Sequence, residues 1–428
     1  MDAQGVIVPL LAQFAGYFTK PGYEQFKIIM MSRMALLGLP HCVTELRRLS
    51  GIHKLQHWTT VYQFLSKGRF SCKKLSQCLL ELLSERLGVG EELILAIDER
   101  LVKKVGKGFF GLGYYPDATD KNPGAYKRKV SGHCWVVLAL LVEQGVKGFA
   151  FPLAALLFVA EASCPKGWLV KTKLDLAEQL LKRFSWSGKR LILLVDNLYA
   201  KGKLAFDLSL ENAVTMVSRL RSNAALYELP KPDKKVKRGR PRLRGEKISA
   251  NKLYRRRSKH SYLKVNIYGK TVTIKAFVDI VMPSRTLGSQ PILVLIFPQR
   301  SGKKMNIFFS TDLSINPVRL LELYALRFKI EDAFDELKTF GGFADCRQRS
   351  FTALKRHATF SLLAYSLLRL LSLTLNDAQT IEAEPWWQPE GPPSVTRLRR
   401  AVAKALRFSS SFPKQLKLHE IIPLKQAA

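Results

Sequence analysis

The stretches LILAID at residues 93–98 and LILLVD at residues 191–196 set the fold of this chain. Each is five apolar residues closed by an aspartate. A short, continuous apolar run is the pattern of a strand buried on both faces of a sheet. The polar groups at their carboxyl ends, Asp98 and Asp196, sit where mixed α/β sheets carry functional side chains. A polar residue closing a strand is also commonplace, so neither aspartate identifies a chemistry alone.

Working outward, residues 132–142, 146–151 and 213–219 read as further strands, with a helix over 170–184. Strands alternating with a helix predict a mixed α/β sheet over residues 91–220. Upstream, residues 1–90 are helical by their three- and four-residue apolar spacing, most clearly at 44–49, 58–65 and 72–87. The turn at Ser50 and Gly51 allows either a small helical DNA-binding unit or a helical cap on the next domain. Residues 221–305 interrupt the core as a basic, β-rich insertion, with strands at 262–268, 271–281 and 291–297. Its segment 231–270 holds sixteen Lys or Arg against only Asp233 and Glu246. The core resumes over 306–375, with helices at 316–340 and 353–375. Residues 376–428 form a C-terminal tail that includes a basic helix near 395–408. No internal repeat is present.

The whole chain of 428 residues carries 69 Lys and Arg against 34 Asp and Glu, a net charge of +35. Such a surplus destabilises a compact state by self-repulsion unless a polyanion neutralises it. Nucleic acid is the usual polyanion, and an anionic membrane is the alternative. The apolar stretches 135–142 and 149–160 fall short of the roughly 20 residues a spanning helix needs, and 362–375 carries Arg369. Asp2, with no basic residue before the apolar run 6–18, argues against a secretory signal and for a buried helix there. Cys42, Cys72, Cys78, Cys134, Cys164 and Cys346 form no CxxC pair and lack zinc-finger spacing to a histidine, so they read as reduced thiols of a cytosolic protein.

The segment LYALRFKIEDAFDELK, residues 323–338, supplies the remaining polar groups. At ~100° per residue, Tyr324, Arg327, Glu331 and Lys338 share an arc of about 60°. Leu323, Leu326, Ile330, Phe334 and Leu337 form the apolar stripe beside it. A carboxylate next to two cations on the rim of a buried stripe can hold a metal while the cations grip phosphates. A solvated face with ion pairs would show the same pattern.

These four residues match the signature Y-(2)-R-(3)-E-(6)-K, and the chain resembles the cut-and-paste insertion-sequence transposases of the DDE type. The order of parts is similar too: an aspartate closing a first strand, another closing a later one, a β insertion, then the signature helix. The stretch GGFADCRQRSFTALKRH at 341–357 also looks like that family. The resemblance, over residues 93–375, implies a ribonuclease-H-like sheet on which Asp98, Asp196 and Glu331 hold two magnesium ions, with manganese able to substitute. It implies that Tyr324, Arg327 and Lys338 contact the backbone of the element's end, arginine being the natural bidentate phosphate ligand. The implied partners are double-stranded DNA, as terminal inverted repeats and as target, and a second copy of the chain in the DNA complex. The implied reaction is cleavage at the element ends and transfer of the freed 3′-OH to target DNA, by a cytoplasmic, nucleoid-associated enzyme. A domesticated, non-catalytic DNA-binding protein of the same descent is the alternative, against which the intact triad and signature argue.

The pattern is departed from in three places. Glu99 follows Asp98 directly and is a rival ligand, and Asp335 points close to Glu331 on the helix and is another. The insertion has no tryptophan to hold a flipped base, leaving Phe297 or Tyr254 as substitutes. Arg238, Arg240 and Arg242 in KRGRPR resemble an AT-hook, whose arginines enter a narrow minor groove, although a basic loop that neutralises phosphates has the same composition. Gly106 to Gly111 fits GxGxxG, but no helix follows, which argues against a dinucleotide site. His133, at a strand start, reads as structural or as a group near the metals.

Overall fold

The computed structural model describes residues 3–117, 128–145, 147–206, 214–230, 242–267, 269–299, 301–302, 304–374 and 395–408. Its centre is one ten-stranded sheet. Strands β1 (Glu92–Lys103), β5 (Arg190–Val195) and β6 (Val214–Leu220) run parallel, and β3 (Lys129–Gln144) lies antiparallel on the other side of β1. β4 (Lys147–Phe158) forms a hairpin with β3, and the short β2 (Gly113–Pro116) takes the rest of that edge. Beyond β6 the same sheet continues antiparallel through β12 (Met305–Ser310), β11 (Ile292–Pro298), β10 (Lys270–Val281) and β9 (His260–Ile267). A two-residue ladder, β7 (Leu226–Tyr227) with β8 (Lys247–Ile248), stands apart, followed by the short helix α8 (Ala250–Tyr254). This is the mixed α/β sheet that the apolar hexapeptides predict, ribonuclease-H-like as the resemblance implies, with helices at both ends of the chain. The strands of residues 260–310 extend the central sheet directly, because β12 hydrogen-bonds to β6.

The two faces of the sheet are covered differently. α6 (Lys173–Leu181), opened by a Thr172–Asp175 capping box, and α7 (Gly202–Ala205) lie on one face. α9 (Pro317–Leu326), α10 (Lys329–Thr339) and α11 (Phe351–Thr374) lie on the other. Two expectations need correction here. The strand expected to end at Asp98 runs on to Lys103, because β3 continues to pair with it as far as Gly132, while Glu99 and Arg100 find partners on the helices of opposite faces, Lys173 and Asp335. The single helix expected over 316–340 is two helices. The N–H of Arg327 bonds to Leu323 O and Tyr324 O at 3.3 and 3.2 Å, and Phe328 N to Ala325 O at 3.2 Å. The chain tightens for one turn there before α10 starts, without a Gly or Pro to mark it.

Of the N-terminal helices α1 (Ala3–Ala12), α2 (Lys20–Ala35), α3 (Val43–Leu49), α4 (Thr59–Lys67) and α5 (Cys72–Arg86), the helices α2, α4 and α5 pack on α11, and α3 packs on α2. The C-terminal helix α12 (Val395–Phe408) closes over α1, α2 and α11. Phe26 meets Phe360 edge-on at 5.5 Å, and Phe70 stacks on the same ring at 5.5 Å. A buried polar cluster fastens the junction. The Arg33 guanidinium donates to Ser361 Oγ at 2.9 Å and Gly341 O at 3.3 Å, and lies 2.9 Å from His357 Nδ1. The backbone N–H of His41 donates to Asp345 Oδ2 at 2.7 Å. Gly342 adopts φ +63°, and a Cβ there would fall 2.2 Å from His41 Cβ, so only glycine fits. Among the described residues no helix is long and apolar enough to cross a membrane.

Candidate active site

The parallel register of β1 and β5 ends at the pair Ile97 and Val195. Asp98 and Asp196 each follow by one residue, so they stand on adjacent strands about 5 Å apart in backbone spacing. The chain at Asp196 leaves the sheet in a turn, with its Oδ1 accepting from the N–H groups of Leu198 and Tyr199 at 2.9 and 3.3 Å. Asp98 stays in the strand and points to the face covered by α9 and α10.

There it meets Arg327. The guanidinium donates through Nη1 to Asp98 Oδ2 at 2.8 Å and through Nη2 to Glu331 Oε1 at 2.9 Å. Arg327 is 7% exposed, Asp98 16% and Glu331 49%, so the bridge runs from the sheet to the surface. The tightened turn between α9 and α10 makes this possible, holding Arg327 under Tyr324 and Phe328, with its guanidinium carbon 5.7 and 4.9 Å from the two ring centres. Burial lifts Asp98 to about 6 against the pull of Arg327 and the Glu99 amide, and the nearby charges of Asp196 and Glu331 push the same way as burial. Those influences bring the three predicted carboxylates into one electrostatic neighbourhood. Lys338 is exposed two turns further along α10.

The rival carboxylates are engaged elsewhere. Strand alternation turns Glu99 to the opposite face, where Oε1 accepts from Lys173 Nζ at 2.5 Å and Oε2 from the Tyr199 hydroxyl at 2.7 Å. Because Tyr199 closes the turn that holds Asp196, Glu99 supports that turn from behind. Asp335 accepts from Arg100 Nη2 at 2.7 Å. Lys173, Tyr199 and Arg100 went unnoticed in the sequence. Only the spacing of Tyr199, three residues after Asp196, could have flagged one of them.

Three carboxylates are the donor chemistry a hard divalent cation takes. Among the described residues, however, no three His, Cys, Asp or Glu side chains gather closely enough to hold an ion. The Arg327 guanidinium lies between Asp98 and Glu331 and supplies the positive charge there. The set matches a divalent cation in kind, and closing around one requires Arg327 to withdraw.

The remaining candidates are placed as follows. Arg242 is exposed, and Arg238 and Arg240 lie outside the described residues. Phe297 stacks on Phe308 at 5.6 Å, and Tyr254 packs on His260 at 4.7 Å. His133 is buried opposite Val102, four rungs along the ladder from Asp98, with Nε2 3.0 Å from Phe110 O. Burial and Lys104 lower it to about 4, which keeps it neutral and structural. Gly106, Gly108 and Gly111 all have positive φ in a loop that leads into β2.

A family model described as the transposase DDE domain matches residues 90–367. The match takes in both aspartate strands, the added strands and the whole of the broken helix. No curated protein matches the chain.

Proposed function

The chain belongs to the DDE transposase family, whose substrate is DNA and whose members generally use divalent metals, and from that premise we propose that it is the transposase of an insertion sequence. In this reading it binds terminal inverted repeats, cuts at the element ends and transfers the 3′-OH ends to target DNA. The observation that carries the proposal is the register that sets Asp98 and Asp196 side by side, with Glu331 tied to Asp98 through Arg327.

Asp98, Asp196 and Glu331 are the groups that would hold the cations, magnesium with manganese able to substitute. Two such ions supply activation of the attacking oxygen and stabilisation of the leaving one in an in-line displacement. The chain's own residues do the rest. Asp98 must be ionised to act as a ligand, so occupancy rises as pH passes upward through about 6. Arg327, once released from the carboxylates, carries a planar pair of donors suited to a backbone phosphate. Tyr324 and Phe328 keep its stem in place meanwhile. Cutting two ends and joining them to one target needs two such sites, so the active form is a dimer assembled on DNA. At +35 the free chains repel one another until a duplex neutralises them. The enzyme then works in the cytoplasm, at the nucleoid.

The test is cleavage of a duplex carrying the repeats that flank the coding sequence, with magnesium, manganese or EDTA. Wild type should cut only with a cation, while Asp196→Asn and Glu331→Gln bind the duplex and leave it intact. A wild-type chain that binds and never cuts under any cation would instead be the domesticated DNA-binding protein.

A further inference from the structure

The outer edge of the sheet, beyond β4, carries a basic groove that none of the three carboxylates lines. The end of α6, the start of α5 and the start of α11 converge there around two adjoining cavities of about 390 and 540 Å³. Both are bordered by Gln179, Arg183 and Lys355, so they form one continuous depression. Among the described residues, Lys73, Lys171, Lys182, Arg183, Lys355 and Arg356 line it, and no Asp or Glu does.

The two arginines are the informative members. Arg356 spends its guanidinium on the carbonyl oxygens of Phe64, Leu65 and Gly68, at 3.3, 3.1 and 2.6 Å, and lies 4.2 Å over the Phe70 ring. Those partners satisfy its hydrogen-bonding groups without neutralising its charge. Arg183 keeps its Nε buried with no hydrogen-bond partner among the described residues. Burial lowers the pKa of both, and no carboxylate contributes to either shift. Arg356 is buried and Arg183 half-buried, and a desolvated cation without a counter-charge is costly and calls for an anion. Lys182 is the partly neutralised member, through Glu178 at 2.6 Å. The first turns of α5 and α11 add the positive ends of two long helices to the same depression.

We propose that this groove is a second DNA seat, which grips the phosphodiester backbone of a duplex outside the catalytic carboxylates. It rests on the reading of the chain as a transposase, since that reading supplies the DNA. β4 lies two strands from β1, roughly 10 Å at ordinary strand spacing. α6 faces the side of the sheet opposite Arg327.

The experiment uses the full chain and the variant Lys73→Ala/Lys171→Ala/Lys355→Ala, which removes side chains at the groove surface and leaves both arginines. Fluorescence anisotropy follows binding of a random-sequence duplex over a range of salt concentrations. Three lost phosphate contacts should lower the slope of log affinity against log salt by about 2.7, and weaken binding about 100-fold near 0.15 M salt. A duplex carrying the flanking repeats runs beside it. A loss confined to that duplex assigns the groove to the element end, and an equal loss on both assigns it to any duplex, target included. An unchanged slope in a variant of unchanged melting temperature overturns the groove and leaves the transposase reading standing. A wild-type chain indifferent to both duplexes at low salt overturns the two together.

Discussion

Replacing Asp98 with asparagine should stabilise the protein while removing its chemistry. The Asp98 carboxyl moves from 3.8 to about 6, chiefly because it is buried and secondarily because Asp196 and Glu331 repel it. A folded-state value above the unfolded one means the group favours folding below the unfolded value and loses that contribution as pH rises through about 6. At about 1.4 kcal/mol per unit, the ionised form costs on the order of 3 kcal/mol at pH 7.5 and roughly half of that at pH 5. The substituted amide would keep an oxygen for Arg327 Nη1, so the geometry survives and only the buried charge is lost. Part of the gain is offset because Arg327 then keeps one carboxylate partner, Glu331, in place of two. For a chain of this length an unfolding entropy of about 0.9 kcal/mol per degree follows from the usual per-residue value, so Asp98→Asn should melt about 1–3 °C higher at pH 7.5. The measurement is calorimetry in EDTA at pH 7.5 and pH 5, where the gain should shrink by about half. A lower melting temperature at pH 7.5, or a gain independent of pH, would refute the assignment of Asp98 as a desolvated charge.

Other outcomes follow from the structure and, for the basic segment at 238–242, from the sequence. Glu99→Gln should cost about 1–3 kcal/mol by leaving Lys173 without its carboxylate, and it should reduce cleavage without abolishing it; a dead but normally stable variant would make Glu99 a ligand. Gly342→Ala should cost about 3 kcal/mol or more, on the order expected for strain plus overlap with His41, read by denaturant unfolding; an unaffected midpoint would deny the close contact. Arg238→Ala/Arg240→Ala/Arg242→Ala should lower the salt slope of DNA binding by roughly one per lost phosphate contact, and an unchanged slope would mean that segment does not meet DNA.

The parts of the fold written in local patterns were legible in the sequence. Two apolar hexapeptides pointed to the parallel pair, and their closing aspartates landed at one level because the hexapeptides pair in step, Leu93 with Leu191 through Ile97 with Val195. What escaped depended on partners distant in sequence. Glu99 and Arg100 look like the end of a strand until Lys173 and Asp335 arrive from helices on opposite faces. The break between α9 and α10 carries no Gly or Pro, because Arg327 is held there by Asp98, more than two hundred residues earlier. The helical wheel placed Tyr324, Arg327 and Glu331 together correctly in kind, yet it could not reveal that the arginine would reach the carboxylates themselves. The groove beyond β4 was invisible for the same reason, its cations coming from three separate helices.

The enclosure of α11 by helices from both ends of the chain bears on how the protein is made. Phe26, Ile29 and Met30 of α2 are buried, and α2 packs on α11 and α12, whose residues begin at 351 and 395. At about 5–20 residues per second, a ribosome needs roughly 15–75 s to bring those helices out after α2. Throughout that time the first ninety residues display an apolar face with nothing to cover it, which makes them a natural client for holding chaperones. Synthesis that stops short of α11 leaves α2, α4 and α5 without the helix they pack on.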